Sequence, residues 1–223
     1  MNEEDAAYIR RKYHTDWGGG WIRSPRHGLP MIKGTDFVPD SIVPFDKIGK
    51  MPDKRSCVVF NLADRRIDCF WNNPENYVER LKLYSCVAIP DFSLLLGMER
   101  QLISYNLLRA FKLARWMEDK GIAIMPAPMW AYPDSYIECF EALPENSIML
   151  VSTIGCVRDA VSLNYHRMGL RELLSRKRPS GIVLYGPAPD YGFNVPVVRH
   201  FDRVSPVCLN GYQPELGFTT KGE

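Results

Sequence analysis

The sequence lacks clustered metal ligands, long apolar runs and a secretory signal. Its six cysteines form no C-x-x-C pair and its four histidines are isolated from one another, whereas zinc sites need ligands at short spacings. No segment approaches the ~18 consecutive apolar residues of a membrane helix, and the charged start MNEEDAAYIRRKYHTD has no signal-like apolar core. We therefore expect a cytoplasmic protein with reduced thiols, no bound metal and no membrane partner.

A strong charge excess and the common catalytic motifs are also missing. The chain carries 28 Lys and Arg against 26 Asp and Glu, a net charge of +2, far from the basic excess of a dedicated nucleic-acid coat. The patterns G-x-S-x-G, H-E-x-x-H and G-x-G-x-x-G do not occur. The sequence therefore identifies no cofactor, and a nucleic-acid partner is left only through a local basic patch.

Strand-length apolar runs alternate with helical patterns from Cys57 onward. The runs read CVVF, CVAIP, IAIMP, IMLVST and GIVLYG, and a long apolar stripe predicts a helix from Met98 to Asp119. Strand–helix–strand connections of this length require a parallel sheet. We predict an α/β fold, a single domain with a mainly parallel sheet of about five strands and crossover helices. An incomplete (β/α) barrel is the alternative, because alternation does not distinguish an open sheet from a curled one.

Composition divides the chain into three segments. Residues 1–55 are rich in Gly and Pro and predict an irregular N-terminal arm packed on the core. Residues 56–187 carry the strand–helix alternation of the α/β core, in which we expect a helical segment that breaks near Gly169. Residues 188–223 show no periodicity and predict a C-terminal loop or tail. Four aromatic residues are the expected anchors of the arm: Trp17, Trp21, Phe37 and Phe45.

Unusual polar and aromatic residues follow the predicted strands where each one ends. In a parallel α/β sheet that edge is the usual place for a ligand site. We therefore expect one site there, with these candidate residues: Asn61, Asp91, Ser93, Trp130, Thr153, Gly155, Cys156 and Tyr185.

Three of these candidates carry groups that can take part in catalysis. Asp91 and Ser93 offer a carboxylate and a hydroxyl for acid–base chemistry or hydrogen bonding, although the same pair could instead cap or close the next turn. Cys156 is a candidate nucleophile at a helix start, but no histidine spacing identifies a partner base.

The other candidates are ligand-binding residues. Trp130, stiffened by neighbouring prolines, could stack on a flat ligand or serve as a lid. Thr153 and Gly155 fit an anion-binding turn or a plain tight turn with Gly155 at positive φ. Tyr185 is either a ligand contact or packing at the rim, and Asn61 directly follows the first core strand.

A basic stretch in the last predicted helix offers an alternative nucleic-acid surface. Cations near the end of a helix more often complement its dipole and form a solvated face. The residues concerned are Arg167, Arg171, Arg176, Lys177 and Arg178.

The stretch from Val59 to Gly186 resembles the bacterial and phage family catalogued as Domain of Unknown Function 4417. The resemblance is carried by P-D-F-S after a strand, the helix QLISYNLLRAFKLARWMEDKG, a strand ending in P…W, FEALP, S-T-I-G-C, a late V-L-Y-G and an upstream W-x-N-P. The chain departs from the pattern at the lead-in Ala127–Met129 and at Ala142, where a glycine is expected. The resemblance implies an origin in phages or mobile elements and implies no activity.

Three functions fit these observations. The first is a phage or mobile-element protein with a small-molecule or nucleotide pocket at the carboxyl ends of its strands, with or without catalysis. The second is a non-enzymatic protein that binds a host protein. The third is a nucleic-acid binder that uses the basic helix.

Overall fold

The computed structural model describes residues 2–49 and 53–202, in which six α-helices and seven β-strands follow one another. Short 3-10 turns at Phe45–Lys47, Pro74–Tyr77 and Pro133–Ser135 lie between them. In chain order the elements are α1 Glu3–Tyr13, β1 Ser41–Pro44, β2 Ser56–Val59, α2 Asp64–Asn72, α3 Val78–Leu81, β3 Cys86–Ala88, α4 Arg100–Asp119, β4 Ile124–Met125, α5 Tyr136–Glu141, β5 Ile148–Ser152, α6 Ala160–Lys177, β6 Gly181–Tyr185 and β7 Val197–Phe201.

The strands lie side by side in the order in which the chain makes them. Strands β1 to β4 form one parallel sheet and β5 to β7 form a second. The two meet where the Leu150 N–H donates to the Pro126 carbonyl oxygen over 2.8 Å. Helices α2 to α6 fill the crossovers from β2 to β6. The prediction of a single α/β domain with parallel strands and crossover helices is confirmed.

Two strands fall in segments that we expected to be irregular. Strand β1 lies within the predicted arm, and β7 lies within the predicted tail. Both expectations were wrong at these points because β1 begins just after Pro39 and ends at Pro44, and because β7 is mostly exposed. Neither strand therefore shows the apolar run of a core strand, and backbone pairing decides them. Strand β7 is mostly exposed and is held by its ladder, in which the Gly186 N–H donates to the Phe201 carbonyl oxygen over 2.8 Å. The domain boundaries themselves stay a prediction, and the tail beyond residue 202 lies outside the described residues.

Parallel strands in chain order impose a curl on the array. Crossovers between parallel strands are almost always right-handed. With the strands in chain order, the crossover helices therefore pack on one face of the array, and the opposite face buries its side chains by curving toward itself. At the outer edges, Arg199 of β7 donates to the Asp40 carboxylate just before β1 over 3.1 Å. Within the described residues β1 pairs only with β2, so no strand ladder closes the ring. The array is compatible with the incomplete-barrel alternative.

Helix α4 packs its apolar stripe against the sheet, as its periodicity predicts. It begins at Arg100 rather than Met98 and ends at Asp119. The side chains of β2 and β3 in the sheet are fully buried, and β4 is the strand that α4 contacts most. The stripe residues are all buried: Ile103, Leu107, Ala110, Ala114 and Met117. In the described part of the chain no helix is both long and apolar enough to cross a membrane.

The N-terminal arm lies on the outer face of α4. Trp17 stacks on Trp116 with ring centroids 5.1 Å apart, and the Trp21 indole N–H donates to Asp119 over 2.6 Å. The buried Lys112 ammonium donates to the last carbonyl oxygens of α1, at 2.7 Å for His14. These contacts attach the arm to the body through aromatic stacking and one capped helix end.

Ala110→Asp tests the buried face of α4. The substitution places an unpaired carboxylate in the core, so the protein should unfold or become insoluble, with a loss of several kcal/mol. Leu102→Asp is the matched control on the same helix, because Leu102 is 49% exposed. Circular dichroism and thermal melting should show a folded control and an unfolded or aggregated test variant. Equal melting temperatures for the two variants would contradict this packing.

Candidate functional site

A cavity of about 740 Å³ opens at the carboxyl edge of β2 to β5. Its wall is built from the segments that follow these strands, within residues 60–63, 88–96, 127–131 and 150–156, and from the first turns of α6. This volume lies in the range of small-molecule sites, and the position is the usual one for ligands of parallel α/β proteins. The cavity is therefore the candidate site of this fold.

The structure brings six of the eight predicted site residues to this cavity. They are Asn61, Asp91, Ser93, Trp130, Gly155 and Cys156. The remaining two, Thr153 and Tyr185, are buried beside it and do not line it. Strand ends thus predict the position of a residue more reliably than the direction of its side chain.

Thr153 fastens the end of β5 to the end of β6. Its hydroxyl donates to the Pro187 carbonyl oxygen over 2.7 Å, and its N–H donates to the Tyr185 carbonyl oxygen over 2.8 Å. The Tyr185 side chain is only 1% exposed, and burial raises its pKa to about 12. The contacts of Thr153 and Tyr185 hold the ends of β5 and β6 together. A ligand-binding role for these two residues stays a prediction.

Asp91 is the carboxyl group of the cavity wall. Its Oδ2 accepts a hydrogen bond from the Asn61 side-chain amide over 2.8 Å. Desolvation, together with the nearby negative charge of Asp64, raises the Asp91 pKa from 3.8 to about 7, and the Asn61 hydrogen bond only partly opposes this rise. The carboxyl group therefore exchanges its proton near neutral pH, as a general acid or base must.

Asp64, at the start of α2, closes the turn that follows Asp91. Its Oδ1 accepts from the Ser93 N–H at 3.0 Å and from the Ser93 hydroxyl at 2.8 Å. The Asn106 side-chain amide donates to the Ser93 carbonyl oxygen over 2.7 Å. Ser93 is thus held between α2 and α4, while Asp91 caps no helix, because α4 begins only at Arg100.

Cys156 follows a tight turn at the end of β5. Gly155 adopts φ +81°, and the Cys156 N–H donates to the Thr153 carbonyl oxygen over 3.0 Å. Burial and the charge of Asp91 raise the Cys156 pKa to about 11. The side chain is a neutral thiol at pH 7, so the geometry supports a weak hydrogen-bond donor better than a thiolate nucleophile. The nucleophilic role stays a prediction.

Helix α6 packs against Trp130, which lines the cavity. His166 stacks on the indole with ring centroids 5.1 Å apart, and a Cβ on Gly169 would lie 2.1 Å from the Trp130 Nε1 atom. The expected helix break near Gly169 was wrong, because α6 runs unbroken and the glycine makes room for the indole. Burial lowers the His166 pKa to about 4, so its ring is neutral at pH 7.

Sequence reasoning missed four residues at or beside the cavity: Asp64, Arg158, Tyr165 and His166. Asp64 was missed because α2 was not predicted, although Ile67, Phe70 and Trp71 repeat at helical spacing. Tyr165 and His166 stand on the inner face of α6 and could have been found from their spacing of three and four from Ser162. In the described ranges no three His, Cys, Asp or Glu side chains gather as metal ligands.

The five basic residues of the alternative nucleic-acid surface all contact the protein itself. Arg176 and Arg178 pair with glutamates at 2.6 and 2.7 Å, and the Lys177 ammonium donates to a carbonyl oxygen at 2.7 Å. Side chains engaged in this way are less free to bind phosphates. Arg167 donates to the Asp190 carbonyl oxygen, and Lys177 donates to that of Leu143. Arg171 lies over the Phe193 ring. Arg176 pairs with Glu172, and Arg178 pairs with Glu145.

Fold and cavity together define a parallel α/β protein with a ligand-sized cavity at the carboxyl edge of its strands. Residues 23–202 match the sequence model of the family described as domain of unknown function (DUF4417), and the chain belongs to that family. The match confirms the expected family, and two phage relatives agree with the expected connection with phages.

Both relatives are phage proteins. The chain is 30% identical over 170 residues to the Gene 1 protein of Mycobacterium phage L5, across 73% of this chain and 72% of the relative. It is 29% identical over 170 residues to the Gene 1 protein of Mycobacterium phage D29, across 73% of this chain and 62% of the relative. The second match thus spans less than two thirds of that relative's length. No solved structure matches the chain.

Gly169→Ala should destabilise the protein, although Gly-to-Ala changes within helices usually stabilise by ~1 kcal/mol. The new methyl group would lie 2.1 Å from the Trp130 indole, so the ring must move out of its position. Thermal melting and tryptophan fluorescence measure both effects. Ser175→Ala, at an exposed position of the same helix, is the control and should be neutral or stabilising. A higher melting temperature for Gly169→Ala would contradict the close packing.

Asp91→Asn should change how stability depends on pH. The folded pKa of about 7 lies above the ordinary value of 3.8, so the folded state binds the proton more tightly and stability falls as pH rises from about 4 to 7. The variant lacks this loss and should gain ~1–2 kcal/mol on the wild type between pH 5 and pH 8. Denaturant unfolding at both pH values measures the difference.

Glu172→Gln is the control for this experiment, since it removes the surface carboxylate that pairs with Arg176. If the stability difference between wild type and Asp91→Asn is the same at pH 5 and pH 8, the Asp91 pKa is not raised in the folded protein.

Proposed function

We propose that this phage-type protein binds a small molecule or nucleotide in the cavity at the carboxyl edge of β2 to β5 (the rim cavity). In this proposal Asp91 is the polar group that selects the ligand. The cavity volume of about 740 Å³ suits such a ligand. The location at the carboxyl edge of parallel strands supports the proposal, as does the gathering of polar side chains from separate strand ends.

The observation that carries the proposal is the environment of Asp91. A carboxyl group whose pKa is raised to about 7 by desolvation is destabilising at neutral pH. Among the described residues it accepts one side-chain hydrogen bond, from Asn61. A carboxyl group whose pKa is strongly perturbed by desolvation and a specific charge, and which lies in a cleft, is a candidate functional group. A ligand that satisfies the free oxygen gives this placement a physical reason.

The same environment suits Asp91 to proton transfer. A group with a pKa near 7 is populated in both its acid and its base forms at neutral pH. In a catalytic form of the proposal, Asp91 exchanges the proton, Ser93 is positioned by Asp64, and Cys156 donates a weak hydrogen bond as a neutral thiol. We place the protein in the cytoplasm, and the five cysteines of the described residues, which form no disulfide with one another, support this placement.

A host-protein partner is the second candidate, and one observation favours it. Leu95, Leu96 and Ile154 line the cavity and are 59%, 41% and 39% exposed. Exposed apolar side chains grouped around a mouth are typical of contact surfaces. A nucleic-acid role has less support, because the basic side chains of α6 contact the protein itself.

A thermal-shift screen against nucleotides, sugars and small carboxylates tests the proposal. A ligand at 100 times its Kd stabilises the native state by ~2.7 kcal/mol, so at least one compound should raise the melting temperature of the wild type. Asp91→Asn and Asp91→Ala should both abolish that shift and remain folded, because Asp91 caps no helix.

Glu172→Gln should keep the shift and serves as the matched control. The proposal is wrong if no compound stabilises the wild type, or if Asp91→Ala lowers the melting temperature by itself while the ligand still binds.

A further inference from the structure

We propose that the ligand of the rim cavity is a planar nitrogen heterocycle of the nucleobase type, bound with its hydrogen-bonding edge against Asp91 and Asn61. This inference rests on the proposed function, since it names the chemical class that the same cavity takes. Three features of the cavity carry it: the edge that its amide and carboxyl groups form, the apolar residues in part of the surrounding wall, and the aromatic side chains beside them.

The Asp91–Asn61 pair presents an edge of mixed donors and acceptors. The pair is joined by one hydrogen bond of 2.8 Å between the Asn61 Nδ2 and the Asp91 Oδ2. No other side-chain hydrogen bond engages either residue within the described chain. The second carboxyl oxygen, the amide oxygen and the second amide hydrogen are therefore free for a ligand. Ring N–H, ring nitrogen and exocyclic amino or carbonyl groups of nucleobases complement such an edge.

The wall around this edge argues against a sugar. Ala88, Ile89, Ala127, Met129 and Leu150 contribute apolar surface to the cavity. A monosaccharide carries hydroxyl groups around its whole ring, and several of them would lose hydrogen bonds to water against these side chains. A heterocyclic base carries its polar atoms at the edge and has apolar faces, so its faces can lie on this apolar part of the wall, while polar side chains such as Ser152, Arg158 and Ser162 line other parts of the cavity.

Two aromatic side chains supply surfaces for a flat ring. Trp130 and Tyr165 both line the cavity. The indole is fixed by its stack with His166 and by the absence of a side chain at Gly169. A rigid aromatic surface favours stacking with any of the nucleobases. The neutral His166 ring adds no charge that would repel a protonated base.

The protonation state of Asp91 couples binding to pH. An ionised carboxylate accepts from a ring N–H or an amino group, whereas the protonated form donates to an unprotonated ring nitrogen. Affinity should therefore change across the pH range where Asp91 titrates, and the direction of the change reports whether the ligand donates or accepts at that oxygen. No titrating group remains at this position in Asp91→Asn, so the variant should lose that pH dependence.

Direct binding measurements with defined probes test the inference. The probes are adenine, guanine, cytosine, uracil and their nucleosides, with glucose, ribose, alanine and acetate as chemically different comparisons. Calorimetry and ligand-observed NMR at pH 6 and pH 8 should detect binding of at least one heterocycle. Its affinity should fall at least ~10-fold in Asp91→Asn and in Asn61→Ala, because each leaves a polar edge unmatched, and should be unchanged in Glu172→Gln.

Failure of this inference and failure of the proposed function give different results. If a sugar, amino acid or carboxylate binds in an Asp91-dependent manner and no heterocycle does, the cavity is a ligand site and the heterocycle assignment is overturned. Heterocycle binding that survives both substitutions also overturns it. If no probe and no compound of the thermal-shift screen binds the wild type, the proposed function falls together with the inference.

Discussion

The candidate site of this protein depends on one topological constraint, the parallel arrangement of strands in chain order. Right-handed crossovers then place the helices on one face of the array, and every strand delivers its carboxyl end to the same edge. Residues that are 26 to 95 positions apart in the chain, Asn61, Asp91, Trp130 and Cys156, thereby meet around one cavity. The side chains of β2 and β3 and the apolar stripe of α4 are buried in the core beneath this edge. The strand order therefore sets the position of the cavity, and the individual side chains set its lining.

Asp64 links the stability of this edge to its chemistry. Its carboxylate accepts two hydrogen bonds from Ser93 and so fixes the segment that carries Asp91. The same negative charge, together with desolvation, raises the Asp91 pKa to about 7. The contact that orders the segment after β3 therefore also makes Asp91 a weaker acid. A neutral residue in place of Asp91 would therefore stabilise the fold at neutral pH, so the carboxyl group contributes nothing to stability there.

Sequence patterns predicted the parts of the fold that repeat and missed those that depend on tertiary pairing. The apolar runs located β2 to β6, and the stripe from Ile103 to Met117 located the buried face of α4. Strand β1 begins just after Pro39 and ends at Pro44, and β7 is mostly exposed, so neither shows the apolar run of a core strand, and only their ladders reveal them. The glycine in α6 suggested a break when read alone, whereas the structure shows that it is small because Trp130 packs against it. A local rule fails at such positions because the reason for the residue lies elsewhere in the chain.

The sequence motifs at the strand ends contain two kinds of polar residue, those whose polar atoms the fold pairs and those it leaves unpaired. In S-T-I-G-C and V-L-Y-G, the Thr153 hydroxyl is bound to the Pro187 carbonyl oxygen, and a Cβ on Gly186 would lie 2.5 Å from the Thr153 Oγ1 atom. Those residues satisfy one another and hold β5 to β6. In P-D-F-S the half-buried Asp91 carboxyl group keeps an oxygen without a partner in the described chain, and it lies in the wall of a cavity that water or a ligand can enter. The motifs alone do not separate these two kinds of residue. A polar atom that the fold leaves unpaired on a cavity wall separates the candidate ligand contact from the structural turn.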